Sequence, residues 1–262
     1  MLTRHAITKR ADDDGVDAAV VERDYVLGHV VAQLSRAKPE DGGRLVFKGG
    51  TALRFVHIGD YRYSADLDFS VVDGSVEAAL GSLTTVLAAA KEHAGLPHLE
   101  VTDGDSPLLS YVGPLEAAKP RSIKLDIAGD EYVEAIEQGT VREVWADLPS
   151  IAPFDVYSLD EICAEKLRCV IQRVQCRDLY DLFRLSDDLN VSLAVIRTIF
   201  ERKCRAKGLD PGLFRDRFES RIERYRRHWE DEIGALVADV PHFDAVERVV
   251  RRHLRTAALL AR

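Results

Sequence analysis

The chain lacks the features that would place it in a membrane or on a secretory route. No stretch reaches the roughly 18 consecutive apolar residues that a membrane span needs, and the opening residues MLTRHAITKRADDDG contain no apolar core of a signal peptide. Cysteine is scarce, and Cys163, Cys169, Cys176 and Cys204 form no CxxC pair. Three of them fall in one predicted helical stretch, where cysteine serves as a small buried apolar residue; a reducing cytoplasm fits that use. There is no internal repeat and no low-complexity tract, which excludes a solenoid. What remains is an ordinary soluble-globular composition, 46% hydrophobic and 31% charged over 262 residues. That length makes one large domain or two modest ones, able to bury a core without staples.

Charge is spread unevenly. Glu161 to Arg262 carries 21 Lys and Arg against 17 Asp and Glu, whereas the preceding 160 residues carry 15 against 27. The net −8 therefore hides halves of −12 and +4. Arg202–His228 alone holds 10 basic and 4 acidic side chains. Such a split points to a nucleic acid or another polyanion as partner, and competes with the plainer reading of a solvated helical face.

Periodicity divides the chain in two. Val20, Val21, Leu27, Val30, Val31 and Leu34 give Asp17–Leu34 the spacing of an amphipathic helix. Pro39 and Asp41-Gly42-Gly43 predict a loop. Leu45-Val46-Phe47 predicts a short strand, broken by Gly49-Gly50 before a helix from about Thr51 to His57. A second strand is expected over Ala65–Val72 and a helix over Val76–Ala94. Leu99–Thr102, Leu108–Val112, Ser122–Ile127 and Val141–Trp145 read as further strands. From Leu159 the pattern stays helical, with breaks near Gln175, Asn190, Gly208–Gly212 and Val240-Pro241. Ser158-Leu159-Asp160-Glu161 reads as a helix start. A mixed αβ domain, residues 1–155, should precede an all-helical one, residues 156–262.

The chemistry-bearing residues cluster in the first of these. On a strand, alternate side chains share a face, so Asp66 and Asp68 point one way while Leu67 and Phe69 point into the core. Two carboxylates held this way repel unless a cation lies between them, and paired oxygen donors suit Mg²⁺. The strand Ile123–Ile127 also alternates, placing Lys124 and Asp126 on its charged face. A third carboxylate at Asp126 would complete a two-metal cage; a surface ion pair with Lys124 is the alternative. Phe47-Lys48-Gly49-Gly50-Thr51 is a strand-to-helix turn whose glycines let the backbone approach a phosphate. Thr51 can cap that helix or bind a phosphate oxygen.

A Gly-Gly-Thr turn, then a strand-borne DxD, then a lone strand aspartate is the pattern of the polymerase-β-like nucleotidyltransferases. One branch is closer. Lys48-Gly49-Gly50-Thr51-Ala52-Leu53, Ser64-Ala65-Asp66-Leu67-Asp68-Phe69 and Ile123-Lys124-Leu125-Asp126-Ile127 resemble the AbiEii family of toxin nucleotidyltransferases. So do Glu165-Lys166-Leu167, Arg173, Arg177-Asp178-Leu179-Tyr180-Asp181 and the N-terminal Val21-Glu22-Arg23-Asp24-Tyr25. The resemblance runs in order over about residues 20 to 185 and nothing distinctive follows Asn190.

That resemblance implies an α+β fold, a nucleotidyltransferase sheet with flanking helices followed by an all-helical domain contributing Lys166 and Asp178 or Asp181. It implies that Lys48, Gly49, Gly50, Thr51 and Ser64 hold an NTP, that Asp66 and Asp68 hold Mg²⁺ or Mn²⁺, and that Lys166 neutralises developing phosphate charge. Asp178 and Asp181 stand at i and i+3, and either would be the family's late aspartate. Family members include mycobacterial toxins that add nucleotides to tRNA, so tRNA 3′ ends lead as acceptor, with a cognate antitoxin protein as partner. Arg173, Arg177, Arg224 and Arg227 are the candidate RNA contacts, alongside the other basic residues of the helical half. Two rivals stand beside this reading: transfer to a protein side chain, and a nucleotide-binding interaction protein without turnover.

Overall fold

The computed structural model describes residues 1–37, 43–102, 107–149 and 152–260. The loop expected at Pro39, Asp41 and Gly42 lies outside these. The chain divides into two compact units, one of residues 1–129 and 136–156, the other of 130–135 and 157–262. Among the described residues no helix is long and apolar enough to cross a membrane.

The first unit is built on a seven-stranded sheet. Helices α1 (Arg4–Asp14) and α2 (Ala18–Val31) precede β1 (Arg44–Lys48). A short helix, α3 (Gly49–Ala52), runs into a π-helical turn, Leu53–Ile58, before β2 (Asp66–Val72). Then come α4 (Val76–Ala94), β3 (His98–Val101), β4 (Leu108–Val112), β5 (Arg121–Ala128), β6 (Ile136–Gly139) and β7 (Phe154–Tyr157). Spatial order is β3-β4-β5-β2-β1-β7-β6. The central β2 pairs antiparallel with β1 and parallel with β5. Helix α4 has the bounds its pattern predicts, because both signals are explicit: Ser75 accepts the Ala78 N–H at its start, and Gly95 takes the left-handed conformation at its end.

The expected strand at Val141–Trp145 does not form. The Arg142 N–H donates instead to the Phe55 carbonyl at 2.7 Å, and Trp145 turns inward against Tyr25. The strand in this region is β6, whose Ile-Glu-Gln-Gly sequence carries no alternation to reveal it.

Helix α2 is buried around most of its circumference, including Glu22 and Asp24. Glu22 accepts from the Leu115 N–H at 2.5 Å and pairs with Arg121 at 2.6 Å. Asp24 is paired with Arg54 and accepts from the Trp145 indole at 3.1 Å. A buried ion pair is worth little net, but removing one partner costs about 3–5 kcal/mol. These charges therefore fix where α2 packs rather than adding much stability.

The second unit contains α5 (Leu159–Gln172), α6 (Cys176–Phe183), α7 (Leu193–Ala206), α8 (Phe214–Gly234) and α9 (Phe243–Thr256). Its core includes two aromatic clusters, Trp229 with Tyr180 and Phe243, and Phe214 with Phe200 and Phe218. Residues 130–135 belong here because basic side chains of α5, α7 and the turn after it hold them. Lys207 binds Asp130 and Glu131, Arg168 binds Glu131, and Lys203 donates to the Tyr132 carbonyl. All four cysteines are buried, and burial raises every one of their thiol pKa values, so none is poised as a nucleophile.

Candidate active site

In the first unit, β2 separates its faces cleanly. Leu67 and Phe69 are fully buried, while Asp66 and Asp68 are half-buried on the other side. Register brings further charge to that face: Asp68 stands opposite Asp126 on β5 and opposite Lys48 on β1, and Asp66 opposite Lys124. Directly paired residues share a face, so three carboxylates and two lysines line one patch of sheet. Among the described residues no three His, Cys, Asp or Glu side chains are gathered tightly enough to hold a metal ion. Asp126 leans 3.5 Å from Lys124 with its side chain 48% exposed, while the Asp68 carboxylate lies against Gly49. As a donor set, paired strand aspartates with a third in register suit a hard, oxygen-seeking cation.

The glycines of the turn are spatial requirements. Gly49 has φ +78°, and a β-carbon there would collide with the Asp68 carboxylate, whose Cγ is 3.2 Å from that position. A β-carbon at Gly50 would strike the guanidinium of Arg62, with its Cζ at 3.1 Å. Thr51 is not the helix cap: α3 begins at Gly49 with Lys48 at the cap position and no side-chain cap bond. The Thr51 hydroxyl, fully buried, donates to the Asp66 carbonyl and lies 2.7 Å from the Ser64 hydroxyl. It ties the glycine turn to the start of the aspartate strand.

Sequence reasoning missed three arginines that support this region. Arg23 donates to the Ser64 carbonyl at 3.3 Å, Arg54 pairs with Asp24, and Arg62 donates to the Tyr63 carbonyl at 3.1 Å while lying under Gly50. Their signal was available, because Arg62 and Arg54 occur in segments otherwise rich in aromatic and apolar residues. Charges in such surroundings are either paired or functional.

The second unit holds a separate cluster. The Lys166 ammonium, on α5, lies 2.9 Å from Asp178 and 2.8 Å from Asp181, both on α6 and both fully buried. Each of these two aspartates takes the same lysine. Arg173 is the C-cap residue of α5, in extended conformation, and its guanidinium grips Asp178 at 2.8 and 3.1 Å. Burial works against a charge on Asp178, but Lys166 and Arg173 outweigh it and hold its carboxyl below the ordinary range. Arg177 donates to Gln175 at 2.9 Å, and Arg224 and Arg227 are exposed on α8. Tyr180 is buried in packing with Trp229.

Comparison with solved structures finds MenT4, a nucleotidyltransferase toxin from Mycobacterium tuberculosis H37Rv. The two share 22% identity over 98% of this chain and 90% of that one, with a TM-score of 0.61, a likeness of fold. An antigenic nucleotidyltransferase-like protein from Paracoccidioides brasiliensis matches at 14% identity over 61% of this chain and 74% of that one, TM-score 0.39, too loosely to carry argument. No curated protein matches. The model of the nucleotidyl transferase AbiEii toxin family, of type IV toxin–antitoxin systems, matches residues 33–252. That span takes in the aspartate strand face, the glycine turn and the Lys166 cluster alike, and the chain belongs to this family of nucleotidyltransferases.

Proposed function

We propose that this nucleotidyltransferase transfers a nucleoside monophosphate from an NTP to RNA, with tRNA 3′ ends as the leading acceptor. An acceptor hydroxyl attacks the α-phosphate, and pyrophosphate leaves. The observation that carries the reading is the register Asp68↔Asp126 beside Asp66, on the sheet face that adjoins Gly49. Asp66 and Asp68, with Asp126 alongside, would hold Mg²⁺ or Mn²⁺, which when bound neutralises charge at the reacting phosphates.

The chain's own residues bind and orient. Gly49 and Gly50 let the backbone close on the triphosphate, with Lys48, Thr51 and Ser64 around it. Lys166, held in place by Asp178 and Asp181, is the cation that would answer charge growing as pyrophosphate departs. The positive balance of residues 161–262, supported by Arg173, Arg177, Arg224 and Arg227, favours a nucleic-acid acceptor. Family membership adds a cognate antitoxin protein as partner, and on this reading the reaction runs in the cytoplasm. The test incubates the protein with total tRNA and each labelled NTP in turn, with Mg²⁺. A labelled tRNA band supports the reading. Label on protein alone, with tRNA unmarked under every NTP, would overturn it.

A further inference from the structure

The two flanks of α8 treat their arginines in opposite ways. On one flank, Arg226 pairs with Asp244 and Glu247, and Arg251 of α9 reaches back to Glu219. On the other, Arg217, Arg221, Arg224 and His228 recur at i, i+4, i+7 and i+11, a stripe along about 16 Å of helix. Among the described residues no carboxylate pairs with Arg217, Arg221 or Arg224. Arg221 instead donates to the carbonyls of Val170, Ile171 and Arg173, the last two at 3.0 and 3.2 Å. Burial lowers its basicity, Tyr225 opposes this, and Arg217 and Arg224 press it down further. Like charges at this spacing destabilise a helix, so the stripe holds repulsion that an anionic ligand would relieve.

The stripe is continuous with the Lys166 cluster inside the same unit. Arg221 holds the Arg173 backbone, the Arg173 side chain holds Asp178, and Asp178 holds Lys166. We propose that Arg217, Arg221 and Arg224, continuing from Arg173, form a track for the sugar-phosphate backbone of a single-stranded RNA acceptor on its way to Lys166. The inference rests on RNA being the acceptor. Its occupant is a chain of spaced anions rather than an acidic protein face. The stripe is one residue wide, and the apolar side chains within α8, Phe218, Ile222 and Tyr225 among them, are all buried. A protein interface needs an apolar centre that this surface does not offer.

The experiment is a salt titration of binding to a short, labelled, mixed-sequence single-stranded RNA, read by anisotropy. Arg217→Gln/Arg224→Gln is compared with Arg215→Gln/Arg226→Gln, which removes the same charge from elsewhere on α8; circular dichroism confirms that both stay folded. The stripe variant should bind more weakly and lose about 1.4 from the log–log salt slope, about 0.7 for each lost phosphate contact. The control should keep the wild-type slope. Equal losses in both variants, or no loss in either, would overturn the track while leaving an RNA acceptor standing. Wild-type protein that binds no RNA at any salt would overturn the acceptor reading as well. Wild-type binding of polyglutamate as tight as that of RNA would assign the stripe to an acidic protein instead.

Discussion

The two charged clusters differ in how their charge is arranged, one spread over a sheet face and the other buried and paired, and the difference predicts how each responds to substitution. In the first unit, Asp66 and Asp68 share a sheet face with Asp126 of the neighbouring strand, partly exposed, with Lys48 and Lys124 in register beside them. In the second, Asp178 and Asp181 are fully buried and close on one lysine, with Arg173 completing the set. A strand fixes the first three to within a pleat whether or not a cation is present, at a cost in repulsion. The second group is already compensated, and its lysine arrives oriented.

The sharpest test of that contrast compares Asp66→Ala with Asp178→Ala. Asp66→Ala should lower transfer by about a thousandfold or more, the loss of roughly 4 kcal/mol of transition-state stabilisation. Its unfolding free energy should stay within about 0.5 kcal/mol of wild type, or rise slightly as repulsion with Asp68 is relieved. Asp178→Ala should behave oppositely in a urea melt, losing about 3–5 kcal/mol because Lys166 is left buried with half its compensation. If both variants melt alike, the distinction between an open and a closed cluster is wrong.

Acid should sharpen the same comparison. Asp178 has a folded pKa held below its ordinary value, so the stability it contributes is fully present above about pH 4, the unfolded carboxylate value. That contribution is lost as pH falls through the lower folded value. Wild-type stability should therefore decline on the acid side of pH 4, and Asp178→Asn should flatten the decline. A series of melts at stepped acid pH reads this directly, and an unchanged slope in the variant would remove Asp178 as its source.

How much of this was legible in the sequence depends on what each residue's partner is. The Asp66/Asp68 face and its core-facing Leu67 and Phe69 follow from period-two alternation alone, and α4 from its Ser75 and Gly95 punctuation. Both are local signals. The pairings Glu22–Arg121, Asp24–Arg54 and Lys203–Glu161 join residues far apart in the chain, and a linear reading assigns such charges to solvent. Asp178 and Asp181 show the limit well. Their i, i+3 spacing places them together, yet nothing in it says that both are buried on the same lysine. The cap reading of Thr51 fails for a related reason. Its position after two glycines suits a cap, but the helix starts at Gly49 and the Thr51 hydroxyl is committed to the Asp66 carbonyl, a partner 15 residues away.

Gly49 supplies the finest test, because strain and collision can be measured apart. Gly15 ends α1 with φ +63° and open space where a β-carbon would stand; Gly49 has φ +78° and the Asp68 carboxylate there. Alanine at either position meets the left-handed penalty, about 1–2 kcal/mol. Only at Gly49 must a site carboxylate also move. Gly15→Ala should thus cost stability with transfer unaffected, while Gly49→Ala should cost at least as much and slow transfer by tenfold or more. The slowing comes from a displaced Asp68, so activity should fall further than the melt accounts for. Should the two variants lose stability equally and keep equal activity, Gly49 would be a turn residue only, and its closeness to Asp68 would have no bearing on catalysis.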